Sequence, residues 1–145
     1  MLPVKNGLPT PPPYTVVEHT ADWALRVWGA DWAALLCHAA AGMSSLMTPD
    51  VEAIPLTETR QITLSAFDAE TLLVDWLSEL AYWAETEMLV FTRYEIEEAT
   101  PRLLRATVRG GRVTELLKHI KAVTYHDLEI VPANAGIEAT IVFDV

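Results

Sequence analysis

Two carboxylates, an imidazole and a hydroxyl crowd into five residues at Glu18-His19-Thr20-Ala21-Asp22, between the runs Tyr14-Thr15-Val16-Val17 and Ala24-Leu25-Arg26-Val27-Trp28. Core packing does not call for that set, whereas a wet turn held on a rigid scaffold is where ligand binding and catalysis gather. Lys121, Asp144 and Val145 complement it, the Val145 α-carboxylate being expected one residue after the Asp144 side chain. If the strand beginning near Tyr14 lies beside the last strand, Asp22 joins Asp144 and Val145 in one place. Three carboxylates repel one another, and a bound cation relieves them. Oxygen-only ligands favour a hard divalent ion, calcium, magnesium or manganese, over zinc. Lys121 then balances charge or contacts an anionic partner. His19 reads as a support that hydrogen-bonds across the turn to hold Asp22, and His126 as a buried, hydrogen-bonded structural residue on the face of Leu128 and Ile130. The competing view has Asp22 capping a turn, Lys121 paired with a surface acid and Asp144 merely terminal.

The elements that must position these groups can be read from periodicity. Residues 120–131 form the longest β-like run, Pro132-Ala133-Asn134-Ala135-Gly136 a turn, and residues 137–145 a returning strand, which together make a hairpin. With the turn near Asn134, the residue opposite Asp144 falls between 121 and 125, so Lys121 or a close neighbour faces the last carboxylates. A diagonal cross-strand pair is only about 7–8 Å apart, within reach of a lysine. Residues 14–18 and 24–28 read as short strands, and Gly29 ends the second. Asp31 is placed to cap a helix running to about Met47, with Leu35, Leu36, Ala39, Met43 and Leu46 on its inner face and His38 beside them as a partly buried, hydrogen-bonded residue. After a loop, residues 61–66 alternate as a half-buried strand, and Asp68 caps a second helix. Leu73, Trp76, Leu77, Leu80, Trp83 and Ala84 form its apolar stripe, with Asp75, Glu79 and Glu85 facing away. Residues 91–97 and 103–109 are the next strands, the second exposing Arg105 and Arg109, the one local basic cluster. Gly110-Gly111 reads as a turn. The sum is an α+β domain, a mostly antiparallel sheet with two main helices packed on one face.

Composition bounds the function. A chain of 145 residues that is 51% hydrophobic suits one domain, here 14–145, behind a proline-rich tail at 1–13. Ten basic residues against twenty acidic ones give a formal charge of −10, which argues against strong direct nucleic-acid binding and suits a basic partner or a cation. The lone Cys37 excludes an internal disulfide and a paired-cysteine zinc site, and reads as a buried, inert thiol. With neither a long uninterrupted apolar run nor a signal segment, a cytoplasmic protein with no membrane partner is expected. No glycine-rich phosphate loop, nucleophile elbow, Ser/His/Asp series or HExxH is present, so nothing points to a self-sufficient enzyme.

Four stretches, Glu18-His19-Thr20-Ala21-Asp22, Leu73-Val74-Asp75-Trp76-Leu77, Lys121-Ala122-Val123-Thr124-Tyr125-His126 and Val142-Phe143-Asp144-Val145, occur in an order and spacing that resemble the archease family over residues 14–145. The resemblance implies an accessory protein that activates an RtcB-type RNA ligase. That enzyme uses GTP and manganese to join a 2′,3′-cyclic phosphate or 3′-phosphate end to a 5′-hydroxyl end in tRNA splicing and RNA repair. Members promote transfer of GMP onto the ligase and so allow multiple turnover. Carried over residue by residue, the resemblance implies a metal held by Asp22, Asp144 and Val145, calcium in the isolated protein with magnesium or manganese as alternatives, and Lys121 needed for activation alongside the two aspartates. The alternative is a general chaperone-like module that binds nucleic-acid-processing enzymes through the acidic face carrying Asp75 and Glu79.

Overall fold

The computed structural model describes residues 12–18 and 22–145, so most of the proline-rich tail and the His19-Thr20-Ala21 centre of the first motif lie outside the described residues. In chain order the elements are β1 (Tyr14–Glu18), β2 (Asp22–Gly29), α1 (Trp32–Met47), a 3-10 turn (Val51–Ala53), β3 (Glu58–Ser65), α2 (Ala69–Glu87), β4 (Leu89–Thr100), β5 (Leu103–Arg112), β6 (Ala122–Thr124), β7 (Ile130–Ala133) and β8 (Gly136–Asp144). Both helices begin where their capping aspartates place them. The Asp31 carboxylate accepts from Ala34 N and that of Asp68 from Thr71 N, at 2.9 and 2.8 Å, satisfying amides that the first turn leaves unpaired. Met88 adopts the left-handed conformation and its N–H closes on Ala84 O, which ends α2. Among the described residues no helix is long and apolar enough to cross a membrane.

Every described strand pairing is antiparallel, but the strands divide between two sheets. One runs β1-β2-β8-β6 with β7 also paired to β8, and the other runs β3-β5-β4. Alternation gives each sheet one buried face: Leu25, Val27, Ile141 and Phe143 point inward in the first, and Leu104, Ala106 and Val108 in the second. Both helices pack against strands of both sheets, so a single hydrophobic cluster spans all the layers. Trp76 fills its centre, donating its indole N–H to Leu36 O at 2.9 Å and so tying α2 to α1. Ser44 donates to Phe91 O at 2.9 Å and ties α1 to β4. Helices on one face of an antiparallel sheet is thus the arrangement at each of the two sheets.

Two sequence expectations are corrected. Gly110 and Gly111 do not form a turn; they continue β5 opposite Phe91 and Val90. A Cβ at Gly110 would collide with the Val90 carbonyl and one at Gly111 with that of Pro55, so the glycines serve close backbone approach. Residues 120–131 are not one strand either. β6 is only three residues long, Asp127 takes φ 52°, and Leu128 N donates to Tyr125 O at 3.0 Å in a turn before β7 begins.

Candidate metal centre

β8 lies between β2 and β6, and this position assembles the site. Asp22, the first residue of β2, stands directly opposite Asp144, the last residue of β8. Across the other edge, Asp144 is opposite Ala122. Partners across an antiparallel pair project to the same side with Cβ atoms about 4.5–5.5 Å apart, so the two carboxylates are neighbours on the sheet face away from the helices. Thr124 lies two residues beyond Ala122 on that same face. Its hydroxyl donates to Val142 O at 3.0 Å. Asp22, Thr124, His126, Val142 and Asp144 line one open depression of about 300 Å³.

Asp22 is half-buried and Asp144 exposed, and among the described residues neither forms an ion pair. Two like charges set opposite each other oppose sheet formation. Hard carboxylate oxygens around an open depression are the donor type that calcium, magnesium or manganese takes. Among the described residues no three His, Cys, Asp or Glu side chains stand close enough to share an ion. The side-chain donors are therefore the two aspartates, and further oxygens come from the main chain or from water. The residues fit a divalent ion on those terms.

The remaining sequence candidates take distinct places. The residue facing Asp144 is Ala122, one position beyond Lys121. Lys121 is instead attached through its main chain, its N–H donating to Asp144 O at 2.8 Å. Exposed, it lines an adjacent depression of about 400 Å³ with Ser78, Tyr82 and Glu85 of α2. Val145 is half-buried and packs against the core. His126 is corrected: it is exposed, not buried, with Nε2 3.2 Å from Asp127 Oδ2 and its N–H donating to Thr124 Oγ1. The turn at Asp127 breaks the alternation that would have carried it inward with Leu128. His19 lies outside the described residues. His38 accords with expectation, half-buried with Nδ1 2.7 Å from Trp28 O. Cys37 is half-buried and burial, then the Asp31 charge, pushes its thiol pKa up, which suits an inert thiol.

Sequence reasoning did not single out Thr124, although its place two residues from the one opposite Asp144 was the available signal. It also missed Lys118, whose ammonium stands 4.2 Å from the centre of the Trp23 ring beside Asp22. His119 pairs with Glu85 of α2 at 2.9 Å.

Residues 14–145 match the family model described as the Archease protein family. Protein archease of Methanosarcina mazei is 32% identical over 140 residues, spanning 91% of this chain and 95% of that protein. Protein archease of Methanothermobacter thermautotrophicus is 31% identical over 86% of this chain and 93% of its own length. Among solved structures, the solution structure of protein 1598 of Methanobacterium thermoautotrophicum superposes with a TM-score of 0.75 at 29% identity, covering 92% of this chain and 99% of that one. A crystal structure from Thermotoga maritima, described as an archease and possible chaperone, gives a TM-score of 0.65 at 22% identity over 97% of this chain and 99% of its own, a likeness of fold.

Proposed function

The chain belongs to the archease family, and on that premise we propose that it is an accessory protein that activates an RtcB-type GTP-dependent RNA ligase. It promotes guanylylation and repeated turnover of the ligase in tRNA splicing or RNA repair. The observation that carries this reading is the register of β2 on β8, which sets Asp22 against Asp144 on an open sheet face.

Asp22, Asp144 and a main-chain oxygen of Val145 would hold a divalent ion. When bound, the ion would neutralise the opposed carboxylates and offer its remaining coordination positions to hard oxygens such as those of a phosphate. The chain's own groups set its surroundings. β8 fixes the Asp144 backbone between two neighbours, so the carboxylate is presented from a paired strand. The Lys121 N–H bond to Asp144 O ties the lysine to the same strand end, and from there its ammonium reaches an anionic partner that the net charge of the chain would otherwise repel. Thr124, committed to Val142 O, holds β6 in register beneath the depression.

The test is ligase guanylylation followed with the native chain and with Asp22→Ala, Lys121→Ala and Asp144→Ala. Each variant is expected to slow it by about tenfold or more while remaining folded, as loss of a metal-site group does. Full stimulation by all three would sink the assignment. Stimulation that survives them but fails with Asp75→Lys or Glu79→Lys would favour the chaperone-like reading through α2.

A further inference from the structure

Arg105 and Arg109, the basic cluster legible in the sequence, take no part in the metal centre. They lie on the solvent face of the three-stranded sheet, where Arg93 stands opposite Arg109, Glu95 opposite Thr107 and Glu98 opposite Arg105. Most arginines of the described residues find oxygen partners: Arg26 takes Glu138, Arg60 takes Glu87, Arg105 takes Glu98 at 3.2 Å, and Arg112 donates to Glu87 O. Arg93 and Arg109 form no ion pair among the described residues, as does Arg102 at the β4–β5 turn. Directly opposed like charges destabilise a sheet. In a chain with twenty acidic residues, acids to pair with them are plentiful, so two arginines in register on one sheet face, neither in an ion pair, call for an explanation. The pair lines a depression of about 280 Å³ with Leu56, Tyr94, Glu95 and Thr107. Leu56 is 47% exposed, so an apolar contact lies beside the two cations.

We propose that Arg93 and Arg109 are a docking point for a segment of a protein partner that carries a single carboxylate beside an apolar side chain. One carboxylate of that segment sits between the two guanidinium groups, and a neighbouring apolar side chain rests on Leu56. The planar guanidinium fork matches a carboxylate in bidentate fashion, and two forks opposed across a strand pair converge on a single anion. The surroundings select a protein over a polynucleotide. Glu95 lines the same depression, and Glu97 and Glu98 continue along β4, so second and third phosphates of a strand would meet negative charge. A free phosphate ion, in turn, would make no use of Leu56. This surface lies on the other sheet from Asp22 and Asp144, so the proposal stands independently of the ligase reading.

The test is an NMR titration of the isotope-labelled full chain with a blocked hexapeptide of serines and leucines that carries one glutamate. Saturable shifts are expected at the Arg93 and Arg109 Nε–H signals and the Leu56 methyls. Affinity should fall at least tenfold in the Arg93→Gln, Arg109→Gln double variant and persist in Arg105→Gln. Glutamine on this exposed face preserves the strand, which unchanged spectra elsewhere verify. The proposal is overturned if the peptide shifts none of these groups, if the double variant binds it undiminished, or if a lysine–leucine hexapeptide binds equally. Tighter binding of oligouridylate or inorganic phosphate than of the peptide would overturn it as well, in favour of a nucleic-acid or free-anion site.

Discussion

Asp22 and Asp144 are each ordinary at their own place in the chain, and what makes them a candidate site is that one register sets them opposite each other. Opposed like charges across a strand pair cost on the order of 0.2–1 kcal/mol, so Asp22→Asn should raise the thermal midpoint in metal-free buffer. Calcium should raise the midpoint of the native chain by mass action and leave that of the variant nearly unmoved. Thermal denaturation in EDTA and in millimolar calcium, magnesium or manganese checks both. A native chain indifferent to all three ions would remove the metal from this site. The residue scale also shows where sequence logic stops. The type and spacing of Asp22 and Asp144 were legible because carboxylates at strand ends are unusual in a core. The exposure of His126 was not, because it depends on the left-handed turn at Asp127, and aspartate adopts that conformation without any obligatory partner residue.

At the scale of elements, the starts of both helices were legible because a capping aspartate before an apolar 3.6-residue period is a local signal. Asp68 gives that signal a pH dependence. Hydrogen bonding from the Thr71 side chain and N–H lowers its pKa below the ordinary carboxylate value. A depressed folded-state pKa adds stability that is complete above the unfolded value and disappears as pH falls through the folded one. The native chain should therefore exceed Asp68→Asn in urea midpoint at pH 7, and the gap should close as the pH drops below about 4, the carboxylate range. A gap unchanged at pH 3 would assign the cap's contribution to shape and not to charge. Strand boundaries were less legible than caps. The alternation in residues 120–131 fits one long strand, yet residues 125–129 stand opposite only Thr140 and Ile141, and the excess leaves the sheet as a turn. The hairpin estimate still located the Asp144 partner, since it allowed residues 121 to 125 and the structure selects Ala122. Gly110-Gly111 misled for a different reason: glycine marks both positive φ and close approach, and only the packing partner tells which.

At the scale of the whole molecule, alternation tells which face of a strand is buried but not which strand lies beside it, so the division into two sheets was not legible. What unites the sheets is the core. Phe143 of β8 and Phe91 of β4 belong to different sheets, yet both are buried in one cluster with Trp76 and the inner faces of α1 and α2. If that cluster is a single cooperative unit, damage in either sheet should lower the stability of the whole. Phe143→Ala and Phe91→Ala should each cost about 3–5 kcal/mol, the usual loss for emptying a buried aromatic site. Each should move the same single urea transition, read by fluorescence of Trp76 and its neighbours and by far-UV circular dichroism. Coincident curves from both probes in both variants are the expected result. Two separated transitions, with one variant shifting only the first and the other only the second, would show that the sheets fold as independent halves. The Asp22–Asp144 site would then depend on the five-stranded half alone, since both residues and their flanking strands belong to it.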